Sequence, residues 1–181
     1  MKIKTLLLIF AVFCLLAPSG LAQTVETKVK SQPDAPLQII RAECPSVPGE
    51  GIRCKVSVQI PPTGLWTAYG LKWKLTLKGG ETLTSYPGGD VNLWTSSAGV
   101  SFTPGTVLER ESGPFFMDIQ SAEVELEFAV PAVGEVWGDT LSRSYIRMMS
   151  LRSGREMAMN YLRSIYKKEG TEGVLKALGI R

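Results

Sequence analysis

The chain has no histidine among its 181 residues. That absence removes the usual base of nucleophilic hydrolases and the commonest metal ligand. Cysteine is scarce, with three residues and no Cys-x-x-Cys pair, which excludes zinc ribbons and thioredoxin-type redox motifs. No GxGxxG or GxxxxGK pattern occurs, so neither a dinucleotide fingerprint nor a P-loop is encoded. Long apolar runs are missing as well. The longest, residues 6–16, falls well short of the roughly 20 residues that a spanning helix needs. No cofactor, no metal and no transmembrane span in the mature chain are therefore expected.

That run fits a shorter device. Lys2 and Lys4 precede it, and Gly20 and Ala22 give it a small-residue exit. This is the layout of a signal peptide over 1–22, cleaved near Ala22. Cys14 follows Phe13 rather than a small residue, so it is not read as a lipid-attachment site. The remaining 159 residues are the size of one domain plus an appendage, secreted or periplasmic. Cys44 and Cys54 remain, and a lone pair in an exported chain reads as one disulfide. Closing so short a loop stabilises by about 3 kcal/mol on the chain-entropy argument.

Charge is uneven along the chain. Residues 23–138 hold 9 Lys/Arg and 13 Asp/Glu, whereas residues 139–181 hold 9 and 4. An acidic body and a basic tail attract each other, or the tail serves an anionic partner such as lipid headgroups or an acidic polymer. A nucleic-acid partner is not expected.

The strongest local pattern is residues 69–78. Tyr69, Leu71, Trp73, Leu75 and Leu77 alternate with Gly70, Lys72, Lys74, Thr76 and Lys78. Successive strand residues face opposite ways, so this strand has one apolar and one cationic face, with Trp73 in the core. Strands are also expected over 37–44, 52–60, 82–86 and 91–95, with weaker ones over 100–102 and 106–111. A second clean alternation sets Ala122, Val124, Leu126 and Phe128 against Glu123, Glu125 and Glu127. The glutamate row is expected beside Lys72, Lys74 and Lys78, fixing register. Short strands punctuated by Gly and Pro turns predict a mainly β fold: an antiparallel Ig-like β-sandwich over 37–138. Residues 23–36 are polar and read as a flexible leader.

After Gly138 the texture becomes helical. Asp139 or Thr140 can cap a helix, Gly170 ends it, and a short last helix follows, completing a C-terminal α-helical segment over 139–181. Arg143, Arg147, Arg155, Arg163 and Lys167 make this helix basic; Arg147, Arg155 and Arg163 are candidate surface-binding residues, as are Trp66 and Trp94 near turns. The glutamate row is a weaker candidate for carboxylate hydrolysis of envelope polysaccharide or peptide. Asp90 and Asn92 offer too few oxygens for calcium.

Three stretches carry a resemblance: Glu135-Val-Trp-Gly-Asp139, the run from Gly154 to Leu162, and the run from Glu169 to Gly179. They resemble exported bacterial proteins with a small Ig- or fibronectin-like sandwich, a Trp-Gly-Asp corner and C-terminal helices. The likeness spans about residues 36–181 and implies fold and compartment, without an activity to transfer. Together these readings describe a non-enzymatic binding or envelope-associated module whose partner is an envelope component or a protein. The alternatives are a carboxylate hydrolase and a membrane-surface protein acting through the basic helix.

Overall fold

A computed structural model describes residues 24–94 and 101–180. The expected signal peptide lies outside the described residues, as do the side chain of Trp94 and Val100; Ser101 and Phe102, expected in a weak strand, are not in one. The elements are β1 (Thr24–Val29), β2 (Gln38–Val47), β3 (Gly51–Gln59), β4 (Trp66–Leu77), β5 (Thr82–Ser85), β6 (Gly88–Asp90), α1 (Val91–Trp94), β7 (Val107–Phe115), β8 (Ile119–Pro131), β9 (Trp137–Gly138) and α2 (Arg143–Ala177). The protein is mainly β with a C-terminal helix.

The lysine-bearing strand is β4, and it is central. Tyr69, Leu71, Trp73 and Leu75 are at most 1% exposed. They meet Val56 and Val58 of β3 and Val124 and Leu126 of β8 in one core. The charged faces of β4 and β8 lie side by side, with Lys72 opposite Glu125 and Lys74 opposite Glu123. Lys78 departs from the expected row and pairs with Asp118. Cys44 of β2 and Cys54 of β3 form a fully buried disulfide.

The sheet is not wholly antiparallel. Its order is β5-β4-β8-β1-β2-β3-β7, with β6 also on β4 and β9 on β8. The first residues of β1 run antiparallel to β2, Thr24 opposite Pro45 and Val25 opposite Cys44. The rest of β1 runs parallel to β8, from Glu26 opposite Ser121 to Val29 opposite Val124. Residues expected in a flexible leader are thus a strand stitching two leaves together. Only Val25 of β1 reaches the core, so its polar sequence concealed it. At the far side, Arg110 of β7 donates to the Gly88 carbonyl (3.1 Å), and the Ser85 hydroxyl donates to that of Ser112 (3.3 Å). These ties make the sheet nearly a barrel.

Two further expectations fail for local reasons. Residues 91–94 are helical rather than extended, because the Asp90 carboxylate accepts from the Asn92 amide (2.9 Å) and starts a helical turn. Phe128 does not share the face of Leu126. Gly70 pairs with Phe128 and Leu71 with Leu126, so Glu127 is one residue too many. This bulge rotates Phe128 and Val130 to the outer face of the sheet. Gly138 shapes the opposite side of the kink: its φ is 95°, and a Cβ there would lie 2.3 Å from the Glu127 carbonyl oxygen.

Candidate functional site

The outward turn of Phe128 creates a landing place for α2. Ala68, Phe128, Val130 and Met148 form a second, smaller core, with Val136 and Tyr145 against it. Phe128 and Tyr145 meet edge to face, their centroids 5.2 Å apart. The ring of Phe128 needs Gly70 beneath it, because a Cβ there would lie 2.1 Å from a ring carbon. Ser142, rather than Asp139 or Thr140, caps the helix, accepting from the Tyr145 amide. The Ser144 hydroxyl donates to Glu127. Burial there raises the Glu127 carboxyl above its ordinary range; Lys72 opposes the rise, while Asp139 and Glu125 add to it.

One turn further, Arg152 grips Asp90. Its Nε lies 2.7 Å and its Nη2 2.9 Å from the two carboxylate oxygens, and Nη2 also reaches the Thr67 hydroxyl. Asp90 is 6% exposed, so this fork is the charged anchor of the helix. Its carboxylate is thereby committed, which removes the calcium reading. No cluster of metal-ligating side chains occurs among the described residues.

Between α2 and the β5–β6 edge lies a cleft of about 880 Å³. Thr84, Ser85, Tyr86, Gly88 and Gly89 form one wall; Arg143, Ile146, Arg147 and Leu151 form the other, over Met148. Arg143 and Arg147 are exposed and make no ion pair among the described residues. They sit four residues apart, so they project from the same helical face about 6 Å apart along the axis. The one acidic residue lining the cleft, Asp90, is neutralised by Arg152. The cleft is cationic, with apolar flanks and hydroxyl groups on the facing wall.

Of the residues singled out from sequence, Arg147 lines this cleft. Arg155 is used inside the chain, donating to the Asn92 carbonyl. Arg163 lies farther along α2, where Nη1 is 3.3 Å from Asn160 Oδ1. Trp66 packs partly buried against the main core with its indole nitrogen shielded, so it is no open platform. Within the glutamate row, Glu127 accepts from Ser144, whereas Glu125 contacts Lys30 at 2.5 Å and Lys72 at 3.6 Å. That contact raises the Lys30 ammonium above its ordinary range through the hydrogen bond and then the charge of Glu125. Arg143 was read from the sequence only as part of the basic helix, and Tyr86 and Gly88-Gly89 were not singled out as site residues. The i, i+4 spacing of Arg143 and Arg147 was in the sequence, but the β5–β6 wall opposite it was not. Comparison with protein-family models, with curated proteins and with solved structures finds no match.

Proposed function

We propose that this protein is an exported, non-enzymatic binding module that holds an anionic ligand in the cleft between α2 and the β5–β6 edge. The observation that carries this reading is the pair Arg143 and Arg147, unpaired and one turn apart in a cleft of ligand size. Guanidinium groups suit carboxylates and phosphates, and two like charges one turn apart repel mildly until an anion lies between them. Export is supported by the leader pattern and the buried disulfide. No helix among the described residues is long and apolar enough to cross a membrane. An immunoglobulin-like arrangement is supported by two β leaves sharing one core and joined by a strand that changes partner. Glu125, engaged by Lys30 and Lys72, weighs against hydrolysis by that carboxylate.

The test is a thermal-shift titration with citrate as a small polyanion. Citrate is expected to raise the Tm of the natural chain and to leave that of an Arg143→Ala, Arg147→Ala variant unmoved. Equal shifts in both, or none in either, sink the reading.

A second reading rests on a separate observation. Past Arg155, α2 makes no hydrogen bond or ion pair to the sheet among the described residues, yet Met157, Tyr161 and Tyr166 are at least 60% exposed. Arg163 and Lys167 are exposed on the same stretch, so it offers an anionic surface both aromatic and cationic side chains. Co-sedimentation with anionic vesicles at moderate salt, lost on Tyr161→Ser with Lys167→Glu, is the expected result. Failure to sediment ends this reading and leaves the cleft untouched.

A further inference from the structure

The strands begin and end at two rims, and the rims differ in a complementary way. The turns 47–51, 78–81 and 116–118 share one rim, since Ile52 stands opposite Phe115, Leu77 opposite Ile119, and the Lys78 amide donates to the Asp118 carbonyl. Phe116 is 75% exposed there, with Met117 beside it and Val47 exposed in the adjoining turn. Glu50 and Glu81 are exposed on the same rim and make no ion pair among the described residues, while Asp118 takes Lys78.

The helix α2 leaves over the other rim. Tyr145 packs on Phe128, Arg152 reaches Thr67 and Asp90, and Arg155 reaches Asn92, so its anchors advance toward the start of β4. Residues 157–168 carry the helix on with three cations, Arg163, Lys167 and Lys168, and no carboxylate. Met157, Tyr161, Ser164 and Lys168 stand at i, i+4, i+7 and i+11, the spacing of one helical face, and all four are exposed. Met148, on the docked side, precedes Met157 by about two and a half turns, so this face looks away from the sheet. One rim is thus apolar and acidic, and the helix beyond the other is apolar and basic.

We propose that copies of this chain associate head to tail, the projecting part of α2 in one copy lying across the Phe116 rim of the next. Met157 and Tyr161 cover Phe116, Met117 and Val47, whose apolar surface otherwise faces water. Arg163, Lys167 and Lys168 approach Glu50 and Glu81, which steers the encounter and disfavours pairing of two helices or of two acidic rims. The two patches sit at opposite ends, so the contact does not close on itself. Each added copy leaves one patch of each kind open, and the assembly grows as a chain. A few apolar side chains bury less than a standard interface does, so each joint is weak and growth depends on concentration. A bilayer lying on α2 uses the helix alone, whereas a second copy uses both ends. The cleft takes no part.

The experiment is sedimentation velocity of the exported chain up to about 1 mM, at low and at high salt. The average mass is expected to rise past that of a dimer with concentration and to fall back with salt. A monomer throughout, or a dimer that grows no further, overturns the proposal. Phe116→Ser with Met117→Ser removes one end, and Tyr161→Ser with Lys168→Glu the other; all four positions are exposed. Each double variant alone is expected to stay monomeric at concentrations about tenfold above those at which the natural chain grows. Mixed, the two are expected to form a one-to-one pair that stops there, a result that misfolding of either cannot give. A mixture that stays monomeric, or a single double variant that still grows, overturns the assignment of the two ends. Neither pair of changes touches the cleft, so the citrate test succeeds or fails independently.

Discussion

Gly70 shows how one missing side chain decides where a helix sits. Its bare backbone lets the Phe128 ring lie flat on β4, and that ring is the floor on which Tyr145 and Met148 rest. Gly70→Ala is expected to force the ring aside and cost about 1–3 kcal/mol, read as a lower denaturation midpoint at unchanged slope. Glu127, in the adjacent bulge, carries the pH sensitivity of this spot. Its folded carboxyl titrates above the ordinary value of 4.5. The folded state therefore holds more protons than the unfolded one between 4.5 and that raised value. Stability falls as pH rises through this window, and below it the penalty is absent. Glu127→Gln should flatten that slope, measured as Tm against pH; an unchanged slope assigns it to another group.

At the scale of elements, the contacts that hold α2 to the rest of the described residues fall between Ser144 and Arg155. The Asp90–Arg152 fork contributes direction, and the Phe128 cluster contributes buried area. Asp90→Ala leaves a half-buried guanidinium without its partner, and is expected to cost about 3 kcal/mol and to free the helix. Loss of amide protection over residues 143–155, with the sheet still protected, is the measurement. Much of this architecture was legible in the chain. The β4 and β8 alternations fixed both strands, their mutual register and the burial of Trp73, because period-2 patterning survives wherever one face is buried. Helix onset was legible to within three residues, the cap being Ser142, and so was the interruption at Gly170, whose φ of 68° is non-helical inside α2. The docking site was not. It depends on the extra residue at Glu127, and a single-residue bulge leaves the pattern looking regular while reversing the face of everything after it. Likewise the cleft needs β5 and β6 folded back toward α2, a long-range placement that local periodicity does not carry.

At the scale of the whole molecule, β1 is the closure. Its start belongs to one leaf and its remainder to the other, and hydrogen bonds beyond it, from the Lys30 amide to the Val124 carbonyl and from the Leu126 amide to Gln32 Oε1, extend the seam. Polar outward residues made this strand look like a leader. Val25→Asp would put a carboxylate at a position 6% exposed, next to the disulfide. It is expected to cost several kcal/mol and to loosen both leaves together, so protection should fall on β2 and β8 at once. A loss confined to β2 would mean that the leaves hold without their stitch.

That seam also sets a tempo. Glu26 must find Ser121, about 95 positions along the chain, before the sheet can close. A contact of that separation carries a large loop-closure entropy and returns its bonds only at the end. The β2–β3 hairpin and α2 are built from near neighbours and form without waiting for it. Folding is expected to be ordered in time, with local pieces early and the first strand last. Pulse-labelled amide exchange should then show residues 24–29 gaining protection after the β2–β3 hairpin.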